Sequence, residues 1–187
     1  MNIYLIRHGR TLANERHIYC GQSDLPITEE SAAEITESKS IYPSAEEYYT
    51  SGMTRTEQTF RCIYGDLPHT AVPQLKEIHF GDFELRSYEE LKDTPAYQEW
   101  ISGDNHKNIC PNGESGEQMT ERVLTAFRAI CARGKDAVIV THGGVIAAIM
   151  MELFPQAEKN RFQWQPAPAH GYAIVFSDDG AVYRDLP

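Results

Sequence analysis

Two histidines in this chain each close a short apolar run and each precede a glycine. Leu5-Ile6-Arg7-His8-Gly9-Arg10-Thr11 places an arginine and an imidazole where the run ends, and Asn14 follows one helical turn past Thr11. Val138-Ile139-Val140-Thr141-His142-Gly143-Gly144 repeats the arrangement far along the chain, with a helical stretch directly after the histidine. The first N–H groups of a helix are unpaired and point outward, which favours an anion there. A third run ends at Ser51-Gly52-Met53-Thr54-Arg55, with Arg55 in the first turn of the next predicted helix. An isolated Arg-His-Gly carries little information, because a strand-end histidine is commonly part of the packing. Three such endings at one edge would gather cations and donors around an anionic ligand.

Bringing them together requires a particular framework. Asn2 to Ile6 and Ala137 to Val140 are continuous apolar runs, the mark of strands covered on both faces of a parallel sheet. Glu47 to Thr50 reads as another strand. Tyr172 to Phe176, Asp178-Asp179-Gly180 and Ala181 to Tyr183 read as a terminal hairpin, which makes the sheet mixed. The clearest helix starts at Ser115, which pairs with Gln118 as a capping box and leads a face of Met119, Val123, Phe127 and Ile130 toward a stop at Gly134. Others are predicted from about Thr28 to Lys39, from Met53 to Tyr64 with Gly65 as the stop, and from Gly144 to Leu153 ahead of Pro155. The alternation predicts an α/β fold, a three-layer α/β/α sandwich with a mostly parallel, mixed central sheet, and one domain over residues 1–187. Open sheets of this type hold ligands beyond the carboxyl ends of their strands, which is where the three endings fall. Residues 87–112, irregular and carrying Pro95, Trp100, Gly103 and Pro111, are expected to cap that edge.

Composition narrows the classes. Seventeen Lys and Arg against 27 Asp and Glu give a formal net charge of -10, a field that repels nucleic acid and anionic membrane. Screening confines each charge to roughly 8 Å, so a few buried arginines can still hold an anion. The apolar start, Ile3 to Ile6, is too short and wrongly flanked for a signal peptide, and the longest apolar run, Val145 to Met151, is too short to span a bilayer. Cys20, Cys62, Cys110 and Cys131 form no C-x-x-C pair and read as small buried thiols. A cytoplasmic address follows as the expectation.

At this point the sequence resembles the histidine phosphatase superfamily, also called phosphoglycerate mutase-like. The resemblance rests on Arg7-His8-Gly9 with Thr11 and Asn14, on Tyr19-Cys20-Gly21-Gln22-Ser23-Asp24-Leu25-Pro26, and on Arg55 with Gln58-Thr59. Leu75-Lys76-Glu77-Ile78-His79-Phe80-Gly81-Asp82-Phe83-Glu84 and Thr141-His142-Gly143-Gly144 complete it, all in the family's order. Position 10, commonly Glu or Gln in relatives, is Arg10 here, which either extends the anion site or faces solvent.

The resemblance implies a phosphomonoesterase acting on a small-molecule phosphate ester through a phosphohistidine, with no cofactor or metal. His8 is then the nucleophile and Glu77 the proton donor, chosen over Asp82 and Glu84 by the Leu-x-Glu-x-x-x-Gly spacing. Arg7, Arg55 and His142 neutralise the phosphoryl oxygens, and Asn14, Gly21, Gln22 and the Gly143 N–H bind substrate. Two other readings stay open, a mutase-type phosphotransferase and a non-catalytic binder of phosphate ligands. Mutases of the family usually carry an extra segment between the Arg55 and second-histidine regions, for which this chain has little room. A two-histidine, one-carboxylate metal site would set Arg7 and Arg55 beside the metal, which is unfavourable. The Gly21-Gln22-Ser23-Asp24 loop, the block from Glu77 to Glu84 and Pro111-Asn112-Gly113-Glu114-Ser115 are similar to those of alpha-ribazole phosphatases, which act late in cobalamin assembly. General small-molecule phosphatases share them. Tyr19, Gln22, Tyr88, Tyr97, Trp100 and His106 are candidates for the substrate rim, and the oligomeric state is not readable.

Overall fold

Strand register decides where the two histidines emerge. In the computed structural model, which describes residues 1–104 and 106–187, β1 (Asn2–Arg7) runs parallel to β4 (Ala137–Thr141), with Arg7 opposite Thr141. The next residue on each strand is histidine, and His8 N donates to Thr141 O at 2.9 Å. With β2 (Glu47–Thr50), β3 (Thr70–Ala71), β5 (Gly171–Ser177) and β6 (Gly180–Leu186), the described residues form one sheet in the order β3-β2-β4-β1-β5-β6. The first four strands are mutually parallel, and β5 and β6 are antiparallel.

The helices are α1 (Leu12–Glu15), α2 (Glu29–Glu37), α3 (Thr54–Tyr64), α4 (Tyr88–Leu91), α5 (Pro95–Ile101), α6 (Gly116–Cys131) and α7 (Gly143–Leu153). Alternation along the central strands feeds two layers. Ile3, Leu5, Ala137 and Ile139 pack under α6 and α7, joined by Met119, Phe127, Ile146 and Trp164. Ile6, Val138 and Val140 face the other way, onto Ile35 of α2 and Phe60 and Ile63 of α3. This is the expected three-layer sandwich with a mixed sheet. A small third cluster, Phe83, Leu91, Tyr97 and Cys110 with Tyr19 and Trp100 against it, gathers α4 and α5.

The differences from expectation are local. The helix beginning after Thr28 ends at Glu37, and Lys39–Ile41 form a separate 3-10 turn. The hairpin strands extend to Ser177 and Leu186. Strand β3, two exposed residues on the sheet edge, carries no apolar pattern that would reveal it in the sequence. Of the cysteines only Cys110 is buried, the other three being half-exposed, and all four are free thiols. No helix among the described residues is long and apolar enough to cross a membrane.

Candidate functional site

The His8 ring is held by its own neighbour. Nδ1 lies 2.7 Å from the Gly9 carbonyl, an acceptor only, so Nδ1 carries the proton and Nε2 keeps a bare lone pair. Burial, reinforced by the guanidinium groups of Arg55 and Arg7, holds this imidazole well below its ordinary 6.5, so it stays neutral. Gly9 packs closely against α2, since an added Cβ would come 2.7 Å from Ile35 Cδ1 and 2.8 Å from Ser31 Oγ.

His142 stands 5.2 Å from His8 between ring centroids and is fully buried. Arg55 Nε donates to its Nδ1 at 3.3 Å, which leaves the proton on Nε2 and directs it to Ser51 Oγ at 2.8 Å. The Thr56 hydroxyl donates to the Met53 carbonyl, so Ser51 Oγ donates to Thr56 and is free to accept from His142. Burial first and then Arg55 keep this imidazole neutral too. The direct phosphate donor expected at position 142 is therefore a neutral ring with both nitrogens already committed within the protein.

The arginines differ in how far they are engaged. Arg55, 1% exposed, donates to the carbonyls of Ser23 and Gly21 as well as to His142. Arg7 donates from Nη1 to Pro166 O at 2.7 Å, whereas its buried Nε has no partner among the described residues. A buried guanidinium N–H without an acceptor costs about 1–3 kcal/mol, which an anionic ligand would relieve. Arg10 turns away, its Nη2 lying 2.9 Å from Glu34 Oε2 on the surface, which settles that residue as solvent-facing.

A cavity of about 460 Å³ opens over this cluster, and Arg7, Asn14, Glu77 and Gly144 line it. Asn14 Oδ1 accepts from the Thr11 N–H and hydroxyl at 2.9 and 3.0 Å, so its amide NH₂ is the group left for a ligand. Glu77 lies at the start of α7, Oε2 accepting from Gly144 N at 2.9 Å and Oε1 from Ile78 N at 3.0 Å. Tyr19, Tyr97 and Trp100 also line the cavity. Tyr88 is exposed and packs on Tyr97 at 6.0 Å, and His106 borders a neighbouring cavity. Among the described residues no group of three or more His, Cys, Asp or Glu side chains is arranged to hold a metal ion.

A family model for the histidine phosphatase superfamily, branch 1, matches residues 3–186. This chain belongs to that superfamily. Within it, an adenosylcobalamin/alpha-ribazole phosphatase from Escherichia coli is 29% identical over 197 residues, covering 100% of this chain and 95% of that protein. The solved alpha-ribazole phosphatase from Shigella flexneri matches with a TM-score of 0.86 at 26% identity, covering 100% of this chain and 96% of that one. A phosphoglycerate mutase from Thermus thermophilus matches with a TM-score of 0.76 at 29% identity, over 100% and 99% of the two chains.

Two further residues, Glu84 and Arg122, shape this histidine phosphatase site, and their types alone did not reveal these roles. Glu84, a rival acid on sequence grounds, accepts the N–H groups of Gly21, Gln22, Ser23 and Phe80 and so folds the loop whose carbonyls hold Arg55. Gly21 and Gln22 accordingly build the site from behind, the Gln22 amide donating to Glu77 O at 3.3 Å. Gly143 lies against the Arg7 guanidinium, its added Cβ falling 3.3 Å from Nε. Arg122 of α6 donates to the carbonyls of Gln74, Lys76 and Glu77 while pairing with Glu114, which itself accepts His79 N. The signal was in the sequence only as an arginine on the polar side of an amphipathic helix, a position that ordinarily faces water.

Proposed function

We propose that this protein hydrolyses a small-molecule phosphate monoester through a phosphohistidine at His8, with alpha-ribazole 5'-phosphate as the first ester to test. The observation that carries the reading is the bare Nε2 of His8, fixed by the Nδ1–H bond to Gly9 and flanked by Arg7 and Arg55 beside a cavity. The relatives' names, alpha-ribazole phosphatase above all, support the same chemistry.

The ester phosphate enters with its oxygens toward the unpartnered Arg7 Nε, the Asn14 amide and the remaining N–H groups of Arg55. Arg55 is aimed by its bonds to His142, Gly21 and Ser23, so His142 serves by positioning that guanidinium. The role given to Glu77, whose carboxyl rests on Gly144 N at 2.9 Å, is that of the acid beside the leaving oxygen. The His8 Nε2 lone pair then forms the N–P bond as the P–O ester bond breaks, and Glu77 gives its proton to the leaving oxygen. Water next attacks phosphorus and passes a proton to Glu77, the P–N electron pair returns to Nε2, and inorganic phosphate leaves. Throughout, Nδ1 keeps its proton on the Gly9 carbonyl, and α4 and α5 cap the cavity.

The test is phosphate release from a panel containing alpha-ribazole 5'-phosphate, fructose 2,6-bisphosphate and phosphoglycerates, with and without EDTA. The expected result is hydrolysis that survives chelation, a trappable phosphoenzyme, and loss of both in His8→Ala. Turnover retained by His8→Ala overturns the nucleophile. Interconversion of phosphoglycerates without phosphate release would assign the chain to the mutases instead.

A further inference from the structure

A second cavity, of about 540 Å³, opens between α6 and α7, and Gly144, Arg161 and Phe162 border it as well as the first. Its remaining wall is mostly apolar, with Leu124 on α6 and Ala147, Ala148 and Met151 on one face of α7. Helix α7 buries Ile146 and Ile149 in the core, and the small Ala147 and Ala148 leave a depression beside them. Both α6 and α7 begin at the first cavity, where Gly116 and Gly144 line it, so the depression leads outward from the site.

The rim leaves apolar surface to water. Phe162 is 76% exposed, held out by a turn in which Asn160 Oδ1 accepts the N–H groups of Phe162 and Gln163 at 3.0 and 3.1 Å. Met151 is 43% exposed at the far end. A trough of this volume, apolar with a few polar groups at its edge, has the dimensions of a small-ligand site, for which roughly 300–1,000 Å³ is usual.

The placement of the acid gives the trough its occupant. A proton donor must lie within hydrogen-bond reach of the leaving oxygen. Glu77 Oε2 rests on the N–H of Gly144, one of three residues that border both cavities. The ester oxygen beside Glu77 therefore directs the rest of the alcohol past Gly144 and along α7. The aromatic part of the first cavity's lining is packed on itself, Tyr19 and Tyr97 sharing a 2.6 Å hydroxyl bond and Trp100 lying 6.0 and 5.6 Å from their rings. We infer that the α6–α7 trough is the leaving-group subsite, and that the enzyme selects phosphomonoesters of bulky, ring-bearing, predominantly apolar alcohols. This rests on His8 and Glu77 acting as proposed above.

The experiment compares 2-naphthylmethyl phosphate with glycerol 3-phosphate, both esters of poor alkoxide leaving groups, on the wild-type protein, Ala148→Leu and Met151→Lys. Met151 is half in water, so its replacement leaves the fold out of the question. The expected result is a wild-type kcat/KM that favours the naphthylmethyl ester by about tenfold or more, the scale that apolar pocket contacts provide. Each variant should raise KM for that ester about tenfold and leave glycerol 3-phosphate within about twofold. Equal effects on both esters, or none on either, in a protein whose hydrolysis still requires His8 would overturn this inference alone. Failure of the wild-type protein to hydrolyse any ester would overturn the phosphatase reading and this inference with it.

Discussion

The carboxylate of Glu77 and the backbone N–H of Gly144 are joined at 2.9 Å, so the proposed acid is seated on the first turn of the helix that follows the second histidine. That seat exists because position 144 has no side chain: an added Cβ would collide with Oε1 and lie 3.1 Å from Oε2. The two glycines after His142 thus have separate tasks, Gly143 against Arg7 and Gly144 beneath Glu77. One short motif seats both the guanidinium and the carboxylate to which the proposed mechanism assigns anion binding and proton transfer.

Gly144→Ala should therefore act as an acid knockout without unfolding the protein. The colliding atom is the end of a flexible side chain, which swings aside, while alanine is preferred over glycine within a helix by about 1 kcal/mol. Turnover of alkyl phosphates is expected to fall about 100-fold, the scale of general acid catalysis, and that of aryl phosphates far less. Steady-state kinetics on both ester types, with a thermal melt beside them, checks it. A melting point that drops along with equal losses on both esters would refute it.

Arg122→Met removes the clamp that holds the carbonyls of Gln74, Lys76 and Glu77 to α6. It also strands Glu114, whose carboxylate loses its partner while still accepting from His79 N. Alkyl phosphate kcat should fall about tenfold or more because a proton donor displaced by even an ångström loses its alignment. KM should change little, and Arg122→Lys should recover only part of the rate, since an ammonium cannot reproduce the guanidinium fork. Loss expressed entirely in KM would place Arg122 in substrate binding.

Arg10 makes the contrasting case. Its ion pair with Glu34 is exposed on both sides, and such pairs contribute about 0–1 kcal/mol. Arg10→Ala is expected to leave KM and kcat within about twofold and stability within that same range. A rise in KM that weakens with added salt would instead put Arg10 in the anion's field, a result that titrating ionic strength reads directly.

The legibility of the site follows from which interactions are periodic. Buried strands and amphipathic helices repeat along the chain, so Asn2 to Ile6, Ala137 to Val140 and the Ser115 capping box could be located, and with them the edge holding His8 and His142. Interactions made by one side chain reaching across the fold have no such repeat. The four backbone N–H groups gathered by Glu84, the three carbonyls taken by Arg122 and the tautomer imposed on His142 by Arg55 and Ser51 each depend on elements far apart in sequence. Strand β3 is illegible for a related reason, since two exposed edge residues have no buried face to record in their composition.

The two neutral imidazoles give the fold a pH dependence whose sign is fixed. Burial and the arginines depress both native values below the ordinary 6.5, so below that pH the unfolded chain binds protons that the native state refuses. Stability is then complete above pH 6.5 and declines as pH falls, at a limiting slope of about 1.4 kcal/mol per pH unit for each imidazole. The window from pH 6.5 to about 5 isolates these groups from the ion-paired carboxylates, whose contributions are lost at lower pH; Glu47, for example, is held near 2, chiefly by Arg133. Urea midpoints across that window should fall with pH in the wild-type protein, and His142→Gln should show about half the slope, whatever its absolute stability. A slope unchanged by the substitution would mean that His142 is not a neutral buried base in the native state.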